Sequence, residues 1–550
     1  MLGLMQVRPL MISSIIEHAA ANHASTEIVS KLTDGSVHRY TYADAGRRAR
    51  RLAKVLLGLG VGPADRVGTL AWNSFRHFEI YYAAPGIGAI YHTVNPRLGA
   101  DDIAFIIGDA QDKVLFADLT FVPLLAELAP RIPSVKAVVM MTDKASMPDV
   151  PLAPGMALHC YEELMAAADE DYAWPLLDEL AASGLCYTSG TTGRPKGVLY
   201  SHRSTVLHAM GINSADVMGL RATDRIMPVV PMFHVNAWGV PFSAPMVGAA
   251  IIMPGRHLDG ATVAGMMNEE RVTASAGVPT IWLGLLQHLR ATGTRLDTVR
   301  RLVIGGSACP PMLIEAFGKE HGIQVDHAWG MTETSPLGTY NQPKAGEQAM
   351  SAEAKATRRL NQGRGIFGIE MKIVGDAGTS LPWDGVAFGN LMVRGHWVCD
   401  SYFGGKTLGG ADQDGWFATG DVATIDADGY MTITDRSKDV IKSGGEWISS
   451  ITLENIAVAF PDVAEAAIIA ADHPKWDERP LLLVVAKDGR TIDTAALLAS
   501  YAGHVPKWWL PDGVLAVDAL PHTATGKINK LALRTRYGRH FLAAPGDPVA

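Results

Sequence analysis

The sequence predicts an α/β fold built from more than one unit, on three observations. The chain has 550 residues, more than one hydrophobic core usually organises, and 48% of them are hydrophobic, so two or more units with ample material to bury are expected. Helical and strand-like segments alternate through residue 330, the pattern of open, largely parallel sheets. After Gly385 the texture shifts to shorter strand-and-turn pieces, which marks a different kind of unit.

In order along the chain, residues 41–74 place Leu52, Val55, Leu56 and Leu59 at helical spacing, then a Gly-rich stop and the apolar run 67–72. That is a helix leading into a buried strand. Similar units recur, and no short repeat or low-complexity tract interrupts them. Further on, the alternating Tyr430-Met431-Thr432-Ile433-Thr434 follows a turn at 426–429 and predicts a hairpin. The charged stretch DRSKD (435–439) then ends the region.

A net charge of −8 argues against general nucleic-acid affinity, which relies on basic surface, so small molecules are the expected partners. Cys160, Cys186, Cys309 and Cys399 are scattered without a C-x-x-C pair, which implies neither a disulfide framework nor a zinc site. No stretch approaches eighteen apolar residues, and Arg8, Glu17 and His18 interrupt the opening segment. The expectation is a soluble protein of the reducing cytoplasm.

The loop YTSGTTGRPKG (187–197) carries glycines that let backbone N–H groups converge on an anion, with hydroxyls as further donors. It is not a Walker loop, because Pro195 separates Arg194 from Lys196 and a glycine follows the lysine. GGSACP (305–310) carries Ser307 after two glycines, yet Cys309 stands where a nucleophile elbow requires glycine, which disfavours a Ser-His-Asp hydrolase. His234 and Trp238 in FHVNAW are four apart, a spacing that puts both on one helical face.

Five segments in order, YTSGTTGRPKG, HAWGMTETSP (327–336), GWFATGD (415–421), DRSKDVIKSGGEWIS (435–449) and PHTATGK (521–527), resemble those of the adenylate-forming acyl-CoA synthetases, over nearly the whole chain. VPMFHVNAWGVP (230–241) and GGSACP are most similar to medium- and long-chain fatty acyl-CoA ligases, near which stand 3-(methylthio)propionate ligases. The resemblance implies layered α/β sheets with a small β-barrel over residues 1–436, and a smaller, mobile α+β domain over residues 437–550. It implies an acid–thiol ligase that makes an acyl-adenylate from a carboxylic acid and ATP, releases pyrophosphate, and passes the acyl group to CoA. A short- or medium-chain fatty acid is the expected substrate, with 3-(methylthio)propionate as the alternative. It further implies Mg²⁺ and a homodimer. A nucleotide-binding protein that kept the fold and lost catalysis is the reading from another class, and the intact Lys196, Glu333, Asp421 and Lys527 speak against it.

Residue roles follow the same resemblance. Thr188, Ser189, Gly190, Thr191, Thr192 and Lys196 hold the β- and γ-phosphates. Gly305, Gly306, Ser307 and Ala308 line the adenine and acyl-phosphate pocket, where absent side chains permit close approach. Trp329 lies along the adenine, with Gly330 and Met331 beside it. The family more often has Tyr there, so stacking is expected and a hydrogen bond from Trp329 is not. Thr332 bonds the α-phosphate, and Glu333 suits Mg²⁺, whose hard charge prefers carboxylate oxygen. Asp421 offers two acceptor oxygens to the ribose hydroxyls, and Arg436 contacts ribose or phosphate. His234 stands at the nucleotide–carboxylate junction, while Trp238, with Val235, gates the acyl tunnel. Lys527 is the catalytic lysine, stabilising charge in adenylation. Lys438 is the hinge, and Lys442, Ser443, Gly444, Gly445, Glu446 and Trp447 form the pantetheine channel after the C-terminal domain swings.

Overall fold

Thr41 opens the helix Tyr42–Gly58. Its side chain accepts from the Asp44 backbone N–H while Asp44 accepts from the Thr41 N–H, which satisfies two orphan donors of the first turn. Ala45, Ala49, Leu52, Ala53 and Leu56 lie on one face and are buried, and the chain then enters the strand Arg66–Leu70. The expected helix-to-strand unit is present. The computed structural model describes residues 1, 3–188, 194–307, 309–375, 378–407, 414–443, 446–522 and 527–542.

Two large sheets organise the first part. A seven-stranded sheet runs in the order Ala157–Cys160, Ala137–Met140, Asp112–Ala117, Arg66–Leu70, Ile90–Thr93, Ala182–Tyr187, Gly197–Ser201, and is parallel except for its last strand. A nine-stranded sheet has a parallel centre formed by Gln324–Gly330, Arg301–Ile304, Ala274–Gly277, Arg225–Pro228, Ala250–Met253 and Glu27–Lys31. The helix Phe75–Gly86 is buried almost all round and touches strands of both sheets, so it fills the layer between them. Strands buried on both faces read as near-continuous apolar runs, as 137–140 and 250–253 do.

The part expected as a small β-barrel is a four-stranded antiparallel sheet, Ile369–Val374, Phe388–Gly395, Phe417–Ile425 and Met431–Arg436. Its last two strands are the expected hairpin, and they bring Asp421 directly opposite Arg436. From Ile441 onward the strands join a separate five-stranded sheet built on the long antiparallel pair Val463–His473 and Asp477–Ala486, flanked by the helices Ser450–Ala459 and Lys530–Tyr537.

Between the large sheets sits a buried carboxylate. Glu79 is inaccessible and accepts from Arg48 Nε at 2.7 Å and from the Tyr161 hydroxyl at 2.6 Å. Arg48 and Arg76 both also reach Glu162, at 3.0 and 2.8 Å. Burial pushes the Glu79 carboxyl above its usual range and Arg48 opposes that shift. Removing the carboxylate leaves the buried Tyr161 hydroxyl without its acceptor and Arg48 with Glu162 alone, which costs about 1–3 kcal/mol. Glu79→Ala is therefore expected to lower the midpoint of thermal unfolding, whereas Glu170→Ala, in an exposed pair with Arg51, is expected to leave it nearly unchanged. Differential scanning calorimetry measures both.

Candidate active site

The carboxyl ends of the parallel strands are where loops of an α/β sheet make a crevice, and here they open onto a cavity of about 400 Å³. The segment after Ala182–Tyr187 brings Thr188 and Lys196, and the one after Arg225–Pro228 brings His234, Val235 and Trp238. The segment after Arg301–Ile304 brings Gly305 and Gly306, and the end of Gln324–Gly330 brings Trp329 through Glu333. Arg436 and Lys438 line it from the small antiparallel sheet and its exit, and Lys527 from the C-terminal part.

Several expected residues do not form its wall. Asp421 stands behind Trp329 and Arg436, Ser307 is exposed, and Lys442 and Ser443 lie on the strand Ile441–Ser443 away from the cavity. Glu446 and Trp447 belong to the strand Glu446–Ile448. Ser189, Gly190, Thr191, Thr192, Ala308, Gly444 and Gly445 lie outside the described residues. The base of the 188–196 loop is closed by the Thr188 N–H on the Lys196 carbonyl at 2.9 Å and the Lys196 N–H on the Thr188 hydroxyl at 3.1 Å.

At the polar end, Asp421 is buried and each carboxylate oxygen has a partner. Trp329 Nε1 donates to Oδ2 at 2.9 Å, and Arg436 Nε is 3.3 Å from Oδ1. This corrects the expectation that Trp329 offers stacking alone: the indole supplies a ring N–H that meets the carboxylate behind the cavity wall. Glu333 is buried, and its Oε1 accepts from the Tyr402 hydroxyl at 2.7 Å. Burial raises the Glu333 carboxyl, with Tyr402 opposing. The Lys196 ammonium sits 4.9 Å from the centre of the same Tyr402 ring. Tyr402 was not legible as a site residue, since it lies in a short hairpin outside every recognisable motif and reaches Glu333 only through space.

Burial, then repulsion from Arg436, lowers the Lys527 ammonium to about 8. His234 is lowered to about 4 by burial, with Lys527 and Arg97 adding to it, so the imidazole is neutral at physiological pH. The cavity therefore has a cationic region beside a neutral imidazole, suited to a phosphate ester next to an uncharged group.

The other end is apolar, with Ile212, Met218 and Leu337 around Trp238. A Cβ added to Gly305 would stand 3.1 Å from Trp238 Cη2, so the glycine makes room for the indole. His208 is fully buried and neutral, lowered to about 3 by burial, and its Nε2 accepts from the Leu337 N–H at 3.2 Å. The expected helical face of His234 and Trp238 is also corrected. Residues 235–238 have positive φ, from 45° to 55°, and form a left-handed turn. Nothing in VNAW before Gly239 announces it.

Two family models match the chain, AMP-binding enzyme over residues 16–403 and AMP-binding enzyme C-terminal domain over residues 452–527. The 3-methylmercaptopropionyl-CoA ligase of Ruegeria lacuscaerulensis is 54% identical, over 98% of this chain and 99% of its own length. The medium-chain-fatty-acid–CoA ligase of Ectopseudomonas oleovorans is 50% identical, over 98% of each. Among solved structures, the anthranilate CoA ligase AuaEII in complex with anthranoyl-AMP has a TM-score of 0.84 at 25% identity, covering 96% of this chain and 97% of that one.

Trp329→Phe keeps an aromatic face and removes the N–H that holds Asp421. Loss of one hydrogen bond to a charged group, about 1.5 kcal/mol, is expected to weaken AMP binding roughly tenfold in isothermal calorimetry. An unchanged affinity shows that the face alone matters.

Proposed function

The chain belongs to the AMP-binding enzyme family, and on that premise we propose that it activates a monocarboxylic acid with a short, uncharged, apolar tail: 3-(methylthio)propionate and short- to medium-chain fatty acids. It is an AMP-forming acid–thiol ligase that uses ATP and CoA, and a catalytically silent role finds no support. The observation that carries the choice of acid is the composition of one cavity, lined by Lys196, Arg436, Lys438 and Lys527 and also walled by Ile212, Met218, Leu337 and Trp238. Among the described residues, no charged side chain stands beside Ile212, Met218, Leu337 and Trp238 in that wall to receive a second carboxylate or an amine. Relatives above 50% identity carry names that fit such acids.

In the first step a carboxylate oxygen bonds to the α-phosphorus of ATP and the bond to pyrophosphate breaks, the electron pair leaving with it. Lys527 lies between acid and α-phosphate and balances the charge that builds there, and Thr332 bonds a phosphate oxygen. Asp421, behind the wall, holds Trp329 and Arg436 towards the nucleotide ribose. Neutral His234 borders the reacting carboxylate without competing for it by charge. In the second step the CoA thiol, losing its proton, bonds to the acyl carbon and AMP leaves.

The residues fit a magnesium ion that arrives with the nucleotide better than a resident one. Glu333 offers one buried carboxylate at the cavity, and among the described residues no group of three or more His, Cys, Asp or Glu is placed to hold a metal. When bound, the ion neutralises phosphate charge. What this chain contributes is Glu333 itself, oriented by the Tyr402 hydroxyl.

Residues 1–436 and 437–550 are read as two domains hinged at Lys438, the second withdrawing Lys527 after adenylation and presenting Lys442 through Trp447 to pantetheine. The change of sheet between Arg436 and Ile441 supports this division. A homodimer and a cytoplasmic location complete the reading, the first carried by resemblance alone and the second supported by four unpaired cysteines. Among the described residues no helix is long and apolar enough to cross a membrane.

A panel of acids from propionate through 3-(methylthio)propionate and octanoate to palmitate, succinate and benzoate, followed by acid-dependent AMP formation, tests the substrate. The highest kcat/KM is expected for 3-(methylthio)propionate and the shorter fatty acids; a preference for succinate or benzoate overturns the assignment.

Lys527→Ala is expected to slow pyrophosphate release on the order of 10²–10³-fold, while the variant still converts presynthesised acyl-adenylate to thioester. The charged ammonium is the competent form, so kcat/KM for adenylation is expected to be level below about pH 8 and to fall above it. Lys438→Pro is expected to show the complementary defect, adenylate forming normally and passing slowly to CoA. Equal loss in both steps removes the assigned role in either case.

A further inference from the structure

Val235, Asn236, Ala237 and Trp238 have φ of 45°, 55°, 47° and 54°, and Gly239 continues at 78°. In this conformation each Cβ of an L-residue crowds the following carbonyl, and a β-branched residue such as Val235 suits it least. Only glycine is at ease there, and it comes last in the run. A strained turn of this kind persists where its surroundings over-determine it, and such strain gathers at functional sites.

The surroundings in this case centre on one sulfur. Cys186 lies on the strand Ala182–Tyr187, two residues before Thr188, and is 1% exposed. Its thiol donates to Asn236 Oδ1 at 3.4 Å, and the Thr93 hydroxyl lies 3.1 Å from the sulfur. From the other side, the Pro231 carbonyl accepts from the His234 and Ala237 N–H groups at 3.1 and 3.2 Å. The Asn236 side chain, inside the turn, thus finds its donor in a buried thiol, a weak donor made adequate by its setting.

The turn has consequences at the cavity. His234 precedes it and Trp238 ends it, both on the wall, with the Trp238 indole against Gly305. Rewinding residues 235–238 to the right-handed form that their side chains favour redirects Trp238 and the backbone beside His234, and leaves the nucleotide contacts of Trp329, Asp421 and Arg436 in place.

We propose that Cys186 is a positioning residue for recognition of the acid: its sulfur holds the 235–238 turn in the left-handed form and so fixes Trp238 and His234 at the apolar end of the cavity. This rests on the reading that the acid lies there. Cys186 does not touch the acid, since the turn stands between them. Serine can replace the thiol as donor to the Asn236 side chain, whereas alanine leaves that amide oxygen without its donor in the interior.

The test compares Cys186→Ala and Cys186→Ser with the unmodified protein. Alanine is expected to raise KM for 3-(methylthio)propionate about tenfold, the effect of one lost interior hydrogen-bond set, and to narrow the preference for it over palmitate. KM for ATP is expected to stay within about twofold, and serine to restore most of the selectivity. Parallel rises in both KM values, or equal behaviour of alanine and serine, overturn the proposal and reduce Cys186 to core packing. A crystal structure of Cys186→Ala supplies a readout independent of the acid. Residues 235–238 are expected to leave positive φ; a retained left-handed turn with Trp238 in place overturns the proposal even if the substrate assignment stands. If no acid supports AMP formation by the unmodified protein, the substrate reading fails while the backbone readout still decides the role of Cys186. Should the alanine variant not fold, Thr93→Val, which removes one partner of the sulfur, is read by the same measures, with a smaller shift in the same direction expected and no shift counting against the proposal.

Discussion

The carboxylate of Asp421 is the fixed anion around which the site is arranged. One oxygen takes the Trp329 N–H from the nine-stranded sheet and the other faces Arg436 across the small antiparallel sheet. Arg436, Lys438 and Lys527 all border the same cavity, and each of the first two lowers the ammonium of the third. Asp421 and Glu333 oppose that lowering. Without these anions three cations would face one another in a partly buried space, an arrangement that favours deprotonation or dispersal. With a polyphosphate present the imbalance becomes useful, because the excess positive charge is already oriented where negative charge develops and no reorganisation is needed.

The same arrangement explains how the apolar half can vary without disturbing the polar half. The nucleotide end is held by hydrogen bonds and ion pairs with defined directions, through Asp421, Glu333 and Tyr402. The apolar end is held by shape, through Ile212, Met218, Leu337 and the Trp238 indole against Gly305. An apolar wall discriminates weakly per methylene, so such an end suits a group of related acids sooner than a single one. His234 stands where the two halves meet, and its neutrality keeps the cationic region from extending into the acyl space.

Much of the fold was legible because local and tertiary preferences agree. The helix 42–58 has its cap, its apolar face and its stop in the sequence, and the hairpin ending at Arg436 has its turn and its alternation. The gathering of Lys196, His234, Glu333 and Lys527 on one cavity was legible only by resemblance, since they come from separate segments that no local rule connects. What stayed hidden was hidden for physical reasons. Tyr402 acts through a contact to Glu333 that skips 69 positions along the chain. The Trp329 hydrogen bond depends on where the indole N–H points, which identity alone does not tell. The turn at 235–238 runs against the conformational preference of its own residues, so propensity was bound to mislead there; its tertiary contacts are the Cys186 thiol on the Asn236 side chain and the Pro231 carbonyl.

How readily Lys527 leaves the cavity depends on which contacts cross the segment between the last two sheets. Among the described residues apolar burial does not: the buried clusters of the C-terminal part draw on residues from Ile441 to Phe541, and those of the first part on residues up to Ile433, with no shared member. The ion pairs that set the helix following Lys527, Lys530 with Glu454 at 2.7 Å and Arg534 with Asp439, lie wholly on the C-terminal side of Lys438 and travel with it. Crossing contacts are polar. Asp435 accepts from the Ser450 N–H at 2.5 Å, capping a helix of the other part, and the Ser449 hydroxyl donates to the Thr434 carbonyl at 2.5 Å. Water can replace hydrogen bonds of this kind at little net cost, whereas it cannot replace a shared apolar core. The proposed swing of the C-terminal part therefore exchanges a few polar contacts for hydration and leaves both cores intact, which is the energetic condition that proposal requires.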